Sequence, residues 1–369
     1  MQISHLKKTI ITPFEPRYNN CPGGAVCYKR KKALDVWYRE RHDCNSMPPL
    51  RRPFNHKINM LSSQKQIFID NFCVISVLFN NFLQFPRIGI IFAYHNRNNM
   101  KRILTIAASL AICVLAVAQN YKTICDIPYT SKTDEYSQER LKLDVYFREN
   151  SHDMPVVVWF HGGGLTAGEK EFPYKLKEKD CVLVGVNYRL LPNVTIDKTI
   201  DDAAEAVAWV MDNIDKYGGN KSKIIVAGHS AGGYLTMMLA LDKQWLERYG
   251  KDANAVAAYI PFSGQAISHF SYRKMNGIDN LQPTIDQFAP LYRVRKDCPP
   301  LVLLVGDREL ELFGRYEENA YLQRMMKLVG NTTTLLYEFG GHGHCGMLEP
   351  GYHILEWWVR KIDGKPFEP

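Results

Sequence analysis

Lys223-Ile224-Ile225-Val226-Ala227-Gly228-His229-Ser230-Ala231-Gly232-Gly233-Tyr234-Leu235-Thr236-Met237-Met238-Leu239 is the stretch whose reading decides the fold. Lys223–Ala227 is an apolar, β-branched run that predicts a buried strand, and Ala231–Leu241 predicts a helix. Only Gly228-His229-Ser230 separates them. A strand that turns into a helix so abruptly forces Ser230 into a strained backbone conformation, and side chains on either side of it would collide; Gly228 and Gly232 remove that crowding. The serine hydroxyl is then presented at the carboxyl edge of the sheet. The amides that follow face the same spot, where the start of a helix favours developing negative charge. The pattern predicts a nucleophile.

Working outward, further buried strands are predicted at Pro155–Phe160 and Cys181–Tyr188 before the serine. Ala255–Ile260, Leu301–Val305 and Thr333–Phe339 are predicted after it. Helical spacing recurs at Asp201–Lys216, where Ala204, Val207, Ala208, Val210, Met211 and Ile214 share a face. It returns at Glu317–Leu328 and Tyr352–Lys361. Thr123–Tyr129 and Leu141–Phe147 read as strands, the second alternating as an antiparallel edge strand does. Strand and helix alternate after that first hairpin, which predicts an α/β domain with a mostly parallel central sheet and helices on both faces. Residues 264–298 fit no regular element and are expected to form a cap or a substrate-contacting insertion.

Acyl transfer at a serine creates an oxyanion that needs preorganised donors. His161-Gly162-Gly163-Gly164 follows a predicted buried strand, and its glycines let backbone N–H groups approach a substrate closely. The expected donors are the amides of Gly162, Gly163 and Ala231, with His161 shaping the loop. No Lys-Ser/Thr follows, which argues against a phosphate loop. The general base must be a histidine beyond the last strand, and Gly340-Gly341-His342-Gly343-His344-Cys345 offers His342 and His344. Their spacing with Cys345 has the look of a metal cluster, but no complementary Cys/His pair is near. Asp307, Glu309 and, more remotely, Glu311 follow the strand Leu301–Val305 and are candidates for the carboxylate that orients the base. The chain order serine, acid, histidine is that of α/β-hydrolases. Neither metal nor organic cofactor is required by this chemistry.

The formal charge of +8 would suit a polyanionic partner, but it is unevenly distributed. Residues 1–118 hold 17 Lys/Arg against 5 Asp/Glu, and residues 119–369 hold 29 against 33. The second part is mildly acidic and calls for no nucleic acid. Residues 1–99 show no sustained strand or helix period. Met100-Lys101-Arg102 then opens a 16-residue apolar core ending at Ala116-Val117-Ala118, the pattern of a secretory signal peptide. The expectation is that residues 1–99 are upstream sequence outside the functional protein, that 100–118 are a signal peptide, and that 119–369 form one catalytic domain, secreted or periplasmic, with no membrane span once cleaved. No disulfide is expected among Cys125, Cys181, Cys298 and Cys345. Oligomeric state is not legible.

The motifs HGGG, Asn187-Tyr188-Arg189-Leu190, Asp201-Asp202, GHSAGG, GDRELE and HCGMLEP, spread over about residues 125–362, resemble the carboxylesterase branch related to hormone-sensitive lipase. They are most similar to its secreted bacterial acetyl-xylan and feruloyl esterases. The resemblance implies an α/β-hydrolase fold and a serine hydrolase acting on small ester or acylated-carbohydrate substrates. It selects His344 over His342, because that group carries its histidine in H-G-G-M-x-E-P. It favours Glu309, three residues past Gly306, over Asp307 as the acid, and it gives Asp201-Asp202 a helix-capping role. An arylformamidase or a peptidase would use the same machinery. A non-catalytic binding module on this fold would be expected to have lost the serine or the histidine.

Overall fold

The computed structural model describes residues 120–365. The expected upstream segment 1–99 and signal peptide 100–118 lie outside the described residues. The strands are β1 (Tyr121–Pro128), β2 (Lys142–Arg148), β3 (Met154–Phe160), β4 (Val182–Val186), β5 (Gly219–His229), β6 (Ala258–Phe262), β7 (Leu301–Gly306) and β8 (Thr334–Phe339). The helices are α1 (Glu135–Arg140), α2 (Ile196–Asn213), α3 (Ala231–Leu241), α4 (Gln244–Glu247), α5 (Phe270–Met275), α6 (Arg315–Leu328) and α7 (Leu348–Ile362). The eight strands among the described residues form one sheet, ordered β1-β2-β4-β3-β5-β6-β7-β8. β2 runs antiparallel to both β1 and β4, and every other pairing is parallel. The sheet is therefore mostly parallel with an antiparallel edge, as the alternation in Leu141–Phe147 implied.

β3 shows why the core has two halves. Val156, Val158 and Phe160 point to one face, with the apolar residues of α2 and α3 and with Leu322 and Met326 of α6. Val157 and Trp159 point to the other, against Leu355, Trp358 and Val359 of α7. Successive side chains of a strand face opposite ways, so a strand covered on both faces must be apolar throughout. All seven residues of β3 are buried.

β5 is central. It is longer than the apolar run Lys223–Ala227 because its first residues pair with the start of β3, where Met154 lies opposite Gly219. Its last residue is His229, so Ser230 stands where the strand leaves the sheet. α1, which was not expected, begins on Asp134, whose carboxylate accepts the Ser137 N–H at 3.0 Å. Asp201 and Asp202 do not cap a helix: they lie inside α2, which starts after Thr195. Asp202 is buried there and receives Arg189 Nε at 2.8 Å and Nη2 at 2.6 Å. This holds the chain that leaves β4 against α2. Cys125, Cys181 and Cys298 are free thiols. None of the three is bonded to Cys345, so no disulfide joins any two of these four cysteines. No helix among the described residues is long and apolar enough to cross a membrane.

Candidate active site

Ser230 has φ +55° and ψ −111°, a conformation that L-residues rarely adopt. Its N–H donates to Phe262 O at 2.8 Å, fixing the bend against the end of β6. A Cβ on Gly232 would stand 2.0 Å from Phe160 O, and one on Gly228 would stand 2.6 Å from the same oxygen. The first turn of α3 is thus pressed onto the end of β3, and only glycine fits at either position. Ser230 is 9 % exposed.

His344 lies beyond β8 and is brought back over β5. Its Nε2 is 2.9 Å from Ser230 Oγ. Its Nδ1 is 2.9 Å from Glu311 Oε2 and 2.9 Å from Ser263 Oγ. The side chain is 11 % exposed. Burial lowers its proton affinity below that of an ordinary imidazole, and the Glu311 carboxylate opposes that shift without cancelling it. His342 is exposed and its ring makes no such contact.

The acid position requires a correction. Neither Glu309 nor Asp307 reaches His344; Glu311 does. After Gly306 the chain enters a helical turn, with the N–H of Glu311 on Asp307 O at 2.8 Å. That turn brings residue 311 back over the end of β7 and aims residue 309 at solvent. Asp307 braces the histidine loop instead: its carboxylate accepts Gly341 N–H at 2.7 Å and Glu309 N–H at 2.9 Å. Its own N–H donates to His342 O at 2.8 Å. Arg308 pairs with Glu338 at 2.6 Å, and Arg315 is buried with its guanidinium on Ser263 O.

Glu311 is fully enclosed, yet all four of its acceptor directions are used. Oε1 takes Ser263 Oγ–H at 2.6 Å and Gly306 N–H at 3.0 Å; Oε2 takes His344 Nδ1–H and Leu312 N–H at 3.1 Å. Burial alone would push this carboxyl up. The hydrogen bond and charge of His344, with Arg315 and Ser263, outweigh burial and hold it well below the usual carboxylate range. It is ionised at neutral pH.

Two neighbours complete the frame. His229 packs its ring 4.7 Å from that of His344 and donates Nε2–H to His344 O at 2.9 Å. Burial, then the adjacent His344, push it down to about 3, so it stays neutral. The His161-Gly162-Gly163 loop passes over the serine: a Cβ on Gly162 would lie 3.6 Å from Ser230 Cβ. Gly163 has φ +106°, and a Cβ there would strike Ala167 O at 2.1 Å. His161 stacks on Tyr188 at 4.3 Å, and burial pushes it down to about 4, suiting it to shape the loop and not to exchange protons. The Ala231 N–H belongs to the first turn of α3, where amides have no partner within the helix. Among the described residues no His, Cys, Asp and Glu side chains group as a metal site.

Residues 264–298 contain only α5 and a 3₁₀ turn at Pro290–Arg293, but they are tied to the glycine loop, to α3 and to α6. Ser271 Oγ donates to Gly164 O beside the glycine loop. Tyr234 Oη of α3 donates to Phe288 O at 2.7 Å. Asn319 Nδ2 of α6 donates to Gly264 O at 2.9 Å. Arg273 is buried and holds the segment's own fold through Ser268 O, Asn280 O and Gln282 O. Ser263, His229 and Arg315 were missed by sequence reasoning. His229 had a signal, as the variable residue of G-x-S-x-G, but Ser263 and Arg315 stand in no motif.

A family model described as BD-FAE matches residues 143–311. Isoprenylcysteine alpha-carbonyl methylesterase of Arabidopsis thaliana is 26% identical over 202 residues, 47% of this chain and 47% of that one. Esterase LipC of Mycobacterium tuberculosis is 26% identical over 239 residues, 58% of this chain and 57% of its own. The chain spans about half the length of these curated relatives. Among solved structures, a truncated carbohydrate esterase from gut microbiota aligns with TM-score 0.56 at 16% identity, covering 68% of this chain and 99% of that one. Esterase B from Lactobacillus rhamnosis aligns with TM-score 0.55 at 18% identity, covering 72% and 94%. At such identities the structures speak to the fold. With a sheet of this order and a serine bend at the end of β5, the chain has the α/β-hydrolase fold and is similar in sequence to esterases.

Proposed function

We propose that the protein is a serine carboxylic-ester hydrolase that works through an acyl-enzyme on Ser230. The observation that carries this reading is the unbroken line Ser230 Oγ, His344 Nε2, His344 Nδ1, Glu311 Oε2, with both hydrogen bonds at 2.9 Å. His344 Nε2 takes the hydroxyl proton as Ser230 Oγ attacks the ester carbonyl. Glu311 orients the ring and stabilises its charge. The amides of Gly162, Gly163 and Ala231 receive the oxyanion. The tetrahedral intermediate collapses as His344 protonates the leaving alcohol. Water, deprotonated by His344, then releases the acid and restores Ser230.

For substrate we propose short acyl or carbohydrate-linked esters, with acetyl and feruloyl groups foremost, and for location export through the 100–118 segment. The motif resemblance and the similarity to named esterases support the substrate class. The test is hydrolysis of p-nitrophenyl acetate through decanoate, acetylated xylan and methyl ferulate. Activity should fall by at least about 10³-fold in Ser230→Ala. Turnover of long acyl chains only would overturn the substrate class, and undiminished turnover by Ser230→Ala would overturn the mechanism.

A further inference from the structure

Ser263 follows the last residue of β6 and is completely buried. Its φ is +47°, in the region that suits glycine and strains other residues. Such a conformation persists only where the surroundings over-determine it. Here the Ser263 N–H donates to Leu304 O at 2.6 Å, and its carbonyl accepts from Arg315. A position whose backbone suits glycine therefore carries a hydroxyl held in one place, 2.6 Å from Glu311 Oε1 and 2.9 Å from His344 Nδ1.

A hydroxyl has one proton. Glu311 is an ionised carboxylate and can only accept, so that proton lies between Ser263 and Glu311. The lone pairs of Oγ then face His344 Nδ1, which must be the donor. The Nδ1–H is thus shared between Glu311 Oε2 and Ser263 Oγ. With Nδ1 protonated in the neutral ring, Nε2 carries the lone pair that faces Ser230.

We infer that Ser263 is a positioning residue of the reaction: its hydroxyl locks the tautomer and tilt of His344 and orders the free end of the Glu311 carboxylate. It touches neither substrate nor the reacting atoms, and acts through His344 and Glu311. The inference rests on the reading of Ser230, His344 and Glu311 as the reacting set.

The experiment compares wild type, Ser263→Ala and Ser263→Gly with p-nitrophenyl acetate. Ser263→Gly relieves the backbone strain while deleting the hydroxyl, so it keeps the test meaningful if Ser263→Ala folds poorly. Both variants should lose about 10- to 100-fold in kcat with KM within about twofold, a share of what a positioned base supplies. The groups facing the His344 ring are Glu311, Arg315 and neutral His229, and the substitutions leave all three in place. The negative end of the Ser263 hydroxyl faces the ring and favours its protonated form. Its loss should move the acidic limb of kcat/KM to lower pH, equally in both variants. Wild-type kcat and an unmoved limb in Ser263→Gly would overturn the inference. A wild-type protein without esterase activity would instead overturn the reading on which it rests, so the two failures are distinguishable.

Discussion

At the scale of single residues, the acid is the instructive case. The family resemblance placed the acid three residues past Gly306, at Glu309. The chain closes a helical turn instead, and residues four apart then stack on one side, so Asp307 and Glu311 share a face while Glu309 looks outward. Letters alone could not separate these turns, because all three acids stand within five residues. That Ser230 and His344 would meet was legible because a candidate nucleophile needs its glycines and a candidate base follows the last strand. Replacing Glu311 by Gln should lower kcat by roughly 10³- to 10⁴-fold, whereas Glu309→Gln should stay within about twofold. Steady-state kinetics on one ester decides it: comparable losses in both variants would return the acid to 309. Protonation matters too. In the proposed mechanism His344 acts as a base only when neutral, and burial lowers its proton affinity. The rise of kcat/KM with pH should therefore be centred below the ordinary imidazole value of 6.5, and a midpoint above it would contradict the enclosed environment.

At the scale of elements, strands and helices were readable because burial on both faces of a sheet leaves apolar runs and burial on one face of a helix leaves a stripe. What could not be read were contacts made across the sheet. β5 gains residues at both ends because β3 and β6 pair with it. α1 is a single short helix held by an aspartate cap, too brief for periodicity to register. Residues 264–298 carry little regular structure because side-chain-to-backbone bonds, led by those of Arg273, replace it. The β3–α3 contact is more demanding than any motif conveys. Gly232→Ala places a methyl group 2.0 Å from Phe160 O and should destabilise the fold by more than about 3 kcal/mol, an effect reserved for severe strain. Gly340→Ala, where nothing lies within 4 Å of the added carbon, should change the melting temperature little. Equal melting temperatures for the two variants would mean that α3 is not seated on β3 as described.

At the scale of the whole molecule, charge and chemistry divide the chain at the same place. The basic excess belongs to residues 1–118, and every residue of the proposed mechanism falls in the mildly acidic remainder. If export uses the 100–118 segment, protein recovered from the medium or periplasm of the producing cell should begin at Gln119, which N-terminal sequencing reads directly. Recovery of chains still starting at Met1 would end that proposal.

The segment 264–298 is fastened at once to the glycine loop, to the nucleophile's helix and to the helix behind the acid. A segment joined to three neighbouring elements is not free to swing as one piece. Entry to the serine should then be governed by shape and not by opening. Turnover of a soluble ester should start without delay, and passing the concentration at which a substrate forms micelles should bring no burst in rate.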